Sequence, residues 1–258
     1  MCENRSSDSL IERVVTLSKK KDLTKNLFVL SLESREPFSR IQPGQFVMLR
    51  TSLGMDPFLG RPFAVCGTGE NSLELLVAVA GRGTRLLCSL PEGERLVLRG
   101  PLGNGFPSQP GKRVHCLAGT TGIAPFLLAR QETPKIEVHL GVPGRDWMGL
   151  ATWAAERIPG LCVYSEDASV GLGGTPLACI DQLDPVTEVV WACGPTGMLK
   201  AVQAACERRK LPCWISLETR MACGIGGCHG CVVRTVTGLR KTCTDGPVFD
   251  SREVLWNE

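Results

Sequence analysis

The chain has 258 residues, 43% hydrophobic and 21% charged, with a formal net charge of +3. It is longer than one core comfortably supports and ordinary in composition for a globular protein. Lys19-Lys20-Lys21 is too short a basic run to mark a nucleic-acid binder, and no apolar run reaches the length of a membrane span.

The start, Met1 to Asp8, is polar and lacks the apolar core of a secretory signal. Thirteen cysteines, an odd number, then argue for reduced thiols and a cytoplasmic location rather than a disulfide framework. Cys88, Cys116, Cys162, Cys179 and Cys206 stand in apolar contexts and are expected in the core.

Residues 10–100 read as short strands. Val14–Leu17, Leu27–Leu32, Phe46–Leu49, Leu73–Val79 and Arg95–Leu98 are apolar, β-branched or alternating, and turn residues separate them. That pattern predicts a small antiparallel β-barrel. One helix interrupts it, opened by Gly83-Thr84 and running over Arg85–Leu90. The glycine-rich stretch Gly100 to Phe106 is expected to be a loop leaving the barrel.

From about residue 110 the rhythm becomes strand–helix alternation. Arg113–Ala118, Lys135–Gly141, Leu161–Ser165 and Thr187–Cys193 read as strands of a parallel α/β sheet. Phe126–Arg130 and Met198–Lys210 read as its helices. The expected division is 1–108 for the barrel, 109–212 for the α/β domain and 213–258 for a small C-terminal module.

Three sets of residues carry chemistry. Arg61-Pro62-Phe63-Ala64 offers a forked guanidinium for a phosphate, a stiffened backbone and a ring that can stack on a flat group. Gly83 and Thr84 open a helix, where free N–H groups and the helix dipole favour an anion. Together they look like a flavin nucleotide cradle; separately, they are a surface turn and a helix cap.

Gly119-Thr120-Thr121-Gly122 turns from a strand into a helix at the sheet edge where such folds bind ligands. It lacks a strict G-x-G-x-x-G and reads equally as a tight structural turn. Cys193-Gly194-Pro195 ends a later strand at the same edge. No neighbouring base marks Cys193 as a nucleophile, so it reads as a residue lining a nicotinamide site.

The most specific signal is Cys223, Cys228, Cys231 and Cys243, spaced C-x4-C-x2-C-x11-C. This is the plant-type spacing for a [2Fe–2S] cluster. Glycines fill the gaps, and Thr242 with Asp245-Gly246-Pro247 reads as a loop returning the fourth ligand. A four-cysteine zinc site and a disulfide-linked loop are the competing readings. His229 reads as a solvent-facing loop residue.

These motifs occur in the order seen in the ferredoxin–NADP reductase superfamily. With the cluster segment Met221–Cys231 and Cys243–Phe249, the chain resembles the electron transfer subunits of class 1B dihydroorotate dehydrogenases. The resemblance implies FAD contacts at Arg61, Pro62, Phe63, Ala64, Leu76, Val77, Ala78, Gly83 and Thr84, and cluster ligands at Cys223, Cys228, Cys231 and Cys243. It implies NAD contacts at Gly119, Thr120, Thr121, Gly122, Cys193, Gly194 and Pro195.

The family usually carries serine where Ala64 stands and glycine where Thr120 stands, which bears on flavin tuning and on room for a pyrophosphate. The implied partner is an FMN-containing dihydroorotate dehydrogenase catalytic subunit in a heterotetramer, with no nucleic acid and no membrane. Electrons from dihydroorotate would pass through FMN, the cluster and FAD to NAD+ in pyrimidine biosynthesis.

The same motifs occur in the gamma subunits of sulfhydrogenases and in the small subunit of NADH-dependent ferredoxin–NADP oxidoreductase. A non-enzymatic iron–sulfur redox sensor is a further alternative. No acid–base residue is expected to act.

Overall fold

The computed structural model describes residues 12–51, 58–133 and 136–256. The polar start Met1 to Asp8, Asp56 and Pro57 ahead of Arg61, and Lys135 at the head of its expected strand lie outside the described residues.

Six strands close into an antiparallel barrel: β1 (Glu12–Thr24), β2 (Leu27–Glu33), β3 (Phe46–Arg50), β4 (Arg61–Thr68), β5 (Ser72–Ala78) and β6 (Arg95–Leu102). Alternation makes it close. Val15 and Leu17, Leu30 and Leu32, Leu73, Leu75 and Val77, and Leu96 and Leu98 point inward and form one buried cluster. Arg61 to Ala64, read above only as a motif, begins β4 and pairs with β3, Phe46 opposite Ala64. The helix α1 (Arg82–Ser89) starts three residues before the expected Arg85.

One expectation needs correction. Gly100, Pro101 and Leu102 are not loop but the end of β6, with Leu102 opposite Phe46. Leu102 is buried with Phe46, Met48 and two cysteines, and that packing holds the strand in register. The loop proper begins at Gly103. Farther on, Phe106 stacks on Trp191 at 4.8 Å, which fastens the connection to the next domain.

That domain is a seven-stranded sheet. Its elements are β7 (Arg113–Gly119), α2 (Ala124–Glu132), β8 (Ile136–Val142), α3 (Met148–Ala155), β9 (Cys162–Ser165), β10 (Leu172–Gly173), β11 (Glu188–Cys193), α4 (Thr196–Arg209) and β12 (Cys213–Ser216). After β13 (Val232–Thr235) and β14 (Gly238–Lys241), β15 (Val248–Asp250) joins it, giving the order β10-β9-β8-β7-β11-β12-β15. The first six strands in that order are parallel, and β15 adds an antiparallel edge.

An apolar cluster from α2 and α3 packs one face of the sheet. α4 and the 3-10 segment Pro176–Gln182 cover the other. α3 has no counterpart in the sequence reading, because Leu150, Ala151, Trp153 and Ala154 are all buried and leave no polar face to mark its period. β13, β14 and β16 (Val254–Leu255) form a small separate sheet.

Twelve described cysteines are free. Cys88, Cys116 and Cys206 are buried as expected, whereas Cys162 and Cys179 are only half-buried. Cys162 begins β9, and Cys179 lies within the short 3-10 segment Pro176–Gln182.

Candidate functional site

A cleft of about 280 Å³ lies between the barrel, the sheet and the C-terminal module. Pro62, Phe63, Ala64, Leu76, Ala78 and Thr84 line it from the barrel side, and Thr121 and Cys193 from the sheet side. Strand alternation sorts the β5 residues: Leu76 and Ala78 face the cleft, while Val77 turns into the barrel core. The wall is mostly apolar, with backbone and hydroxyl groups at its ends, as a flat heterocycle requires.

Arg61 and α1 meet at one end of this cleft. A Cβ on Gly83 would overlap the Arg61 guanidinium, so the absence of a side chain lets the charge rest on the first turn of the helix. Arg61 also donates to the Leu59 carbonyl. The Thr84 hydroxyl is occupied with its own loop. It accepts from the Ala80 N–H at 2.9 Å and the Gly81 N–H at 3.1 Å. Arg61 and the helix terminus thus stand together in an arrangement that fits an anion, and Thr84 shapes the loop beside them.

The third wall of the cleft lies mostly outside the motifs read above, apart from Met221 and Pro247 in the cluster segments. Ser216, Leu217, Glu218, Thr219, Met221 and Pro247 come from the segments around the cysteines. Glu218 is solvent-accessible in the open cleft, yet the surrounding protein pushes its carboxyl above the ordinary glutamate range. Among the described residues, it is the titratable carboxyl that the sequence reading missed in this cleft. The Cys193 thiol is buried and is likewise pushed up by burial, then by Glu218, so it stays a neutral wall group.

A second cleft, of about 320 Å³, opens across the same strand ends. Gly119, Thr120 and Pro195 line it, with Gly141, Glu166 and Met198 among their neighbours. Thr120 and Thr121 thus divide the expected nucleotide turn between the two clefts. Gly122 does not face a cleft. A Cβ there would run into the Cys193 carbonyl, so this glycine lets the two strand-end loops touch. Gly194 packs in the same way against Gly119. Thr120 has a left-handed backbone, φ +50°, which is the physical reason a glycine suits that position.

The four cysteines converge. The Cys231 and Cys243 sulfurs are 3.2 Å apart and buried, Cys223 is half-buried and Cys228 is exposed. Backbone N–H groups point at sulfur: Gly226 to Cys243 at 3.1 Å, Cys228 to Cys223 at 3.4 Å, Ile225 to Cys223 at 3.5 Å and Gly230 to Cys228 at 3.4 Å. Gly224 and Gly226 take left-handed φ of +72° and +82°, which turns these donors inward.

Burial alone would raise the Cys223 thiol, but the N–H donors of Ile225, Cys228 and Gly227 overcome it and bring the pKa down to about 7. Cys243 is held up at about 11 by burial and by Cys231. Two buried sulfurs this close, with backbone donors aimed at the cysteines, fit a sulfur-ligated metal cluster.

The Thr242 hydroxyl donates to the Cys231 carbonyl at 3.1 Å and joins the two loops of the module, while Asn104 donates to the Asp245 carbonyl at 3.0 Å and ties the second loop to the rest of the chain. His229 is exposed, as expected, with φ +58°. Phe46 and Met221 touch both places: each lines the first cleft, and each packs with Cys231 and Cys243.

Barrel, parallel sheet and cysteine loop around one cleft define an iron–sulfur flavoprotein of the ferredoxin–NADP reductase fold. A family model for the iron–sulfur cluster binding domain of dihydroorotate dehydrogenase B matches residues 218–255. The dihydroorotate dehydrogenase B (NAD(+)) electron transfer subunit of Caldanaerobacter subterraneus is 38% identical over 83% of this chain and 87% of its own. The corresponding subunit of a Geobacillus species is 34% identical over 93% and 97%.

Among solved structures, an NADH-dependent reduced ferredoxin–NADP oxidoreductase superposes with a TM-score of 0.83 at 27% identity. It covers 94% of this chain and 90% of its own. The chain belongs to the family of dihydroorotate dehydrogenase B electron transfer subunits. Among the described residues, no helix is long and apolar enough to cross a membrane.

Proposed function

We propose that this chain passes electrons between an FMN-containing, dihydroorotate-oxidising partner subunit and NAD+, within a cytoplasmic heterotetramer that serves pyrimidine biosynthesis. The observation that carries the reading is the shared wall. Phe46 and Met221 line the cleft and also belong to the apolar cluster around Cys231 and Cys243, so packed side chains connect the cleft to the cysteine loop.

In this reading, 1–108 holds FAD, 109–212 holds NAD and 213–258 holds the cluster, with β12 and β15 of the last section stitched into the sheet of the second. Arg61 and the α1 terminus at Gly83 and Thr84 hold the flavin phosphates. Pro62, Phe63, Ala64, Leu76 and Ala78 form its bed, while Val77, expected there, turns its side chain into the barrel core. Gly119, Thr120, Thr121, Gly122, Gly194 and Pro195 shape the pyrophosphate path, and Cys193 closes the floor under the nicotinamide. Cys223, Cys228, Cys231 and Cys243 ligate the cluster. When bound, the flavin supplies the exchange between hydride and single electrons.

The protein's own part is placement. The Thr120–Thr121 turn joins the two clefts edge to edge, so a dinucleotide in one reaches a ring in the other. Glu166 puts a negative charge in the nucleotide cleft, which suits a free ribose hydroxyl better than a 2′-phosphate. Exposed Cys228 sits beside a surface cleft with Phe58, Leu59, Arg50 and Arg99, where a partner's flavin can approach.

The likeness to the NADH-dependent ferredoxin–NADP oxidoreductase favours a second reading, an NADH-linked subunit for a different partner. An anaerobic NADH titration followed by visible absorption tests the core of both. Flavin bleaching with cluster reduction, and dihydroorotate-dependent NAD+ reduction only when the catalytic subunit is added, is the expected result. Reduction by NADH with no response to dihydroorotate and that partner selects the second reading. A protein that retains no flavin overturns both.

A further inference from the structure

The face of the sheet turned away from Cys193 carries a second cluster of ligand-type side chains. β7 and β8 run in parallel with His115 opposite Glu137, and His139 follows two residues on along the same face. One ligand atom from each of the three lies within 4.8 Å of the others. His115 Nδ1 is 3.7 Å from Glu137 Oε2. Donors bound at about 2.0–2.1 Å to a tetrahedral ion stand about 3.4 Å apart. The spacing is therefore near that of a loaded site, and the half-exposed Glu137 side chain, which also pairs with Arg113 Nε at 3.8 Å, closes the rest by giving up that exposed contact.

Two further observations point to a ligand. His139 is 7% exposed, and neither of its ring nitrogens has a partner. A buried imidazole gives up its bonds to water, and the whole side chain is left unsatisfied here. His115 is also buried, and its Nδ1 is unpartnered. Its other nitrogen, Nε2, lies 3.2 Å from Glu188 Oε1.

Glu188 is itself held in place, accepting from the Asp184 N–H at 2.7 Å and from Arg113 at 3.4 Å. A carboxylate fixed on the far nitrogen of a histidine sets its tautomer and turns the near lone pair toward a metal. The two rings are near-parallel, with centroids 5.9 Å apart.

We infer that His115, Glu137 and His139 form a binding site for a divalent transition metal of the zinc class, with Glu188 as the carboxylate that orients His115. The three ligands come from two neighbouring strands, and the remaining coordination position opens to solvent past Glu137. The site lies under the Pro176–Gln182 segment, on the sheet face opposite the flavin cleft and away from the cysteine loop. Its occupancy is independent of the electron-transfer reading. An ion there would tie the starts of β7 and β8 together and satisfy the buried nitrogens.

The test uses the holoprotein with its flavin and cluster intact, dialysed against micromolar zinc and washed. Zinc and iron per chain are measured by mass spectrometry, and zinc affinity by calorimetry. The expected result is about one zinc per chain above the level bound by His139→Gln or Glu137→Gln, with iron and flavin content equal in all three. Glu188→Gln should retain the site but weaken it about 10–100-fold. Glu137 is half-exposed, so Glu137→Gln keeps the test usable if His139→Gln folds poorly. Zinc should also raise the melting temperature of the unaltered protein and not of Glu137→Gln. No zinc in the unaltered protein, or as much zinc in both variants as in the unaltered protein, overturns the assignment.

Discussion

Gly83→Ala separates folding from flavin binding. Gly83 sits in the first turn of α1 without a left-handed backbone, and the nearest atoms its Cβ would meet all belong to the Arg61 guanidinium. The fold therefore loses nothing, and alanine favours the helix by up to about 1 kcal/mol. The cost falls on Arg61, whose charge must leave the helix terminus. A hydrogen bond to a charged group contributes about 1.5–3 kcal/mol. At about 1.4 kcal/mol per decade, removing it weakens FAD binding about 10–150-fold.

The assay is a fluorescence titration of deflavinated protein with FAD, beside thermal melts of the same samples. Arg61→Ala should lose a similar factor, and the double variant should lose little more, because both changes remove one contact. Melting temperature without FAD should be equal or higher in Gly83→Ala. An FAD affinity within about twofold of the unaltered protein in both single variants would refute the cradle.

The other predictions concern the nucleotide turn, the cofactor preference and the cluster. Thr120→Gly should relieve left-handed strain of about 1–3 kcal/mol, partly offset by chain entropy, so melting temperature rises by a few degrees and the KM for NADH falls; a lower melting temperature with unchanged KM would contradict this. Glu166→Arg replaces an acid in the nucleotide cleft with a phosphate-binding fork, and the NADPH-to-NADH ratio of kcat/KM should rise at least about tenfold; no change would remove Glu166 from the site. Cys243→Ser deletes one of the two buried sulfurs that stand 3.2 Å apart, so the visible cluster band should vanish while the flavin band and NADH-driven flavin reduction persist; survival of the cluster band would assign the fourth ligand elsewhere.

Much of this was legible because it is local. Alternation such as Leu73, Leu75 and Val77 encodes a barrel strand, and the cysteine spacing encodes a ligand loop whatever surrounds it. The same alternation sorts Leu76 and Ala78 outward, so the flavin bed could be placed by strand. What was not legible depends on long-range register. Glu218, Met221 and Pro247 reach the cleft because the C-terminal segment crosses back over the barrel, and no local pattern announces that return. His115 and His139 are 24 positions apart in a chain that reads as buried strand at both places, and the parallel pairing of β7 with β8 brings them together. α3 escaped for the opposite reason, since an almost wholly apolar helix with half of its residues buried has no polar stripe.

The departures at Ala64 and Thr120 fall on either side of the same junction. Ala64 lines the flavin cleft without a hydroxyl, and Thr120 lines the nucleotide cleft with one. The first removes a hydrogen-bond donor from the edge of a ring; the second adds a strained side chain beside the phosphate path. Neither is itself a residue of the shared wall at Phe46 and Met221, although Ala64 stands opposite Phe46. Their combined effect should therefore appear where nicotinamide and ring must align, in the rate of NADH-driven flavin reduction, while transfer between flavin and cluster proceeds as the packing allows. Stopped-flow traces at flavin and cluster wavelengths separate the two steps. Restoring both residues, Ala64→Ser with Thr120→Gly, should change the first phase and leave the second as it was.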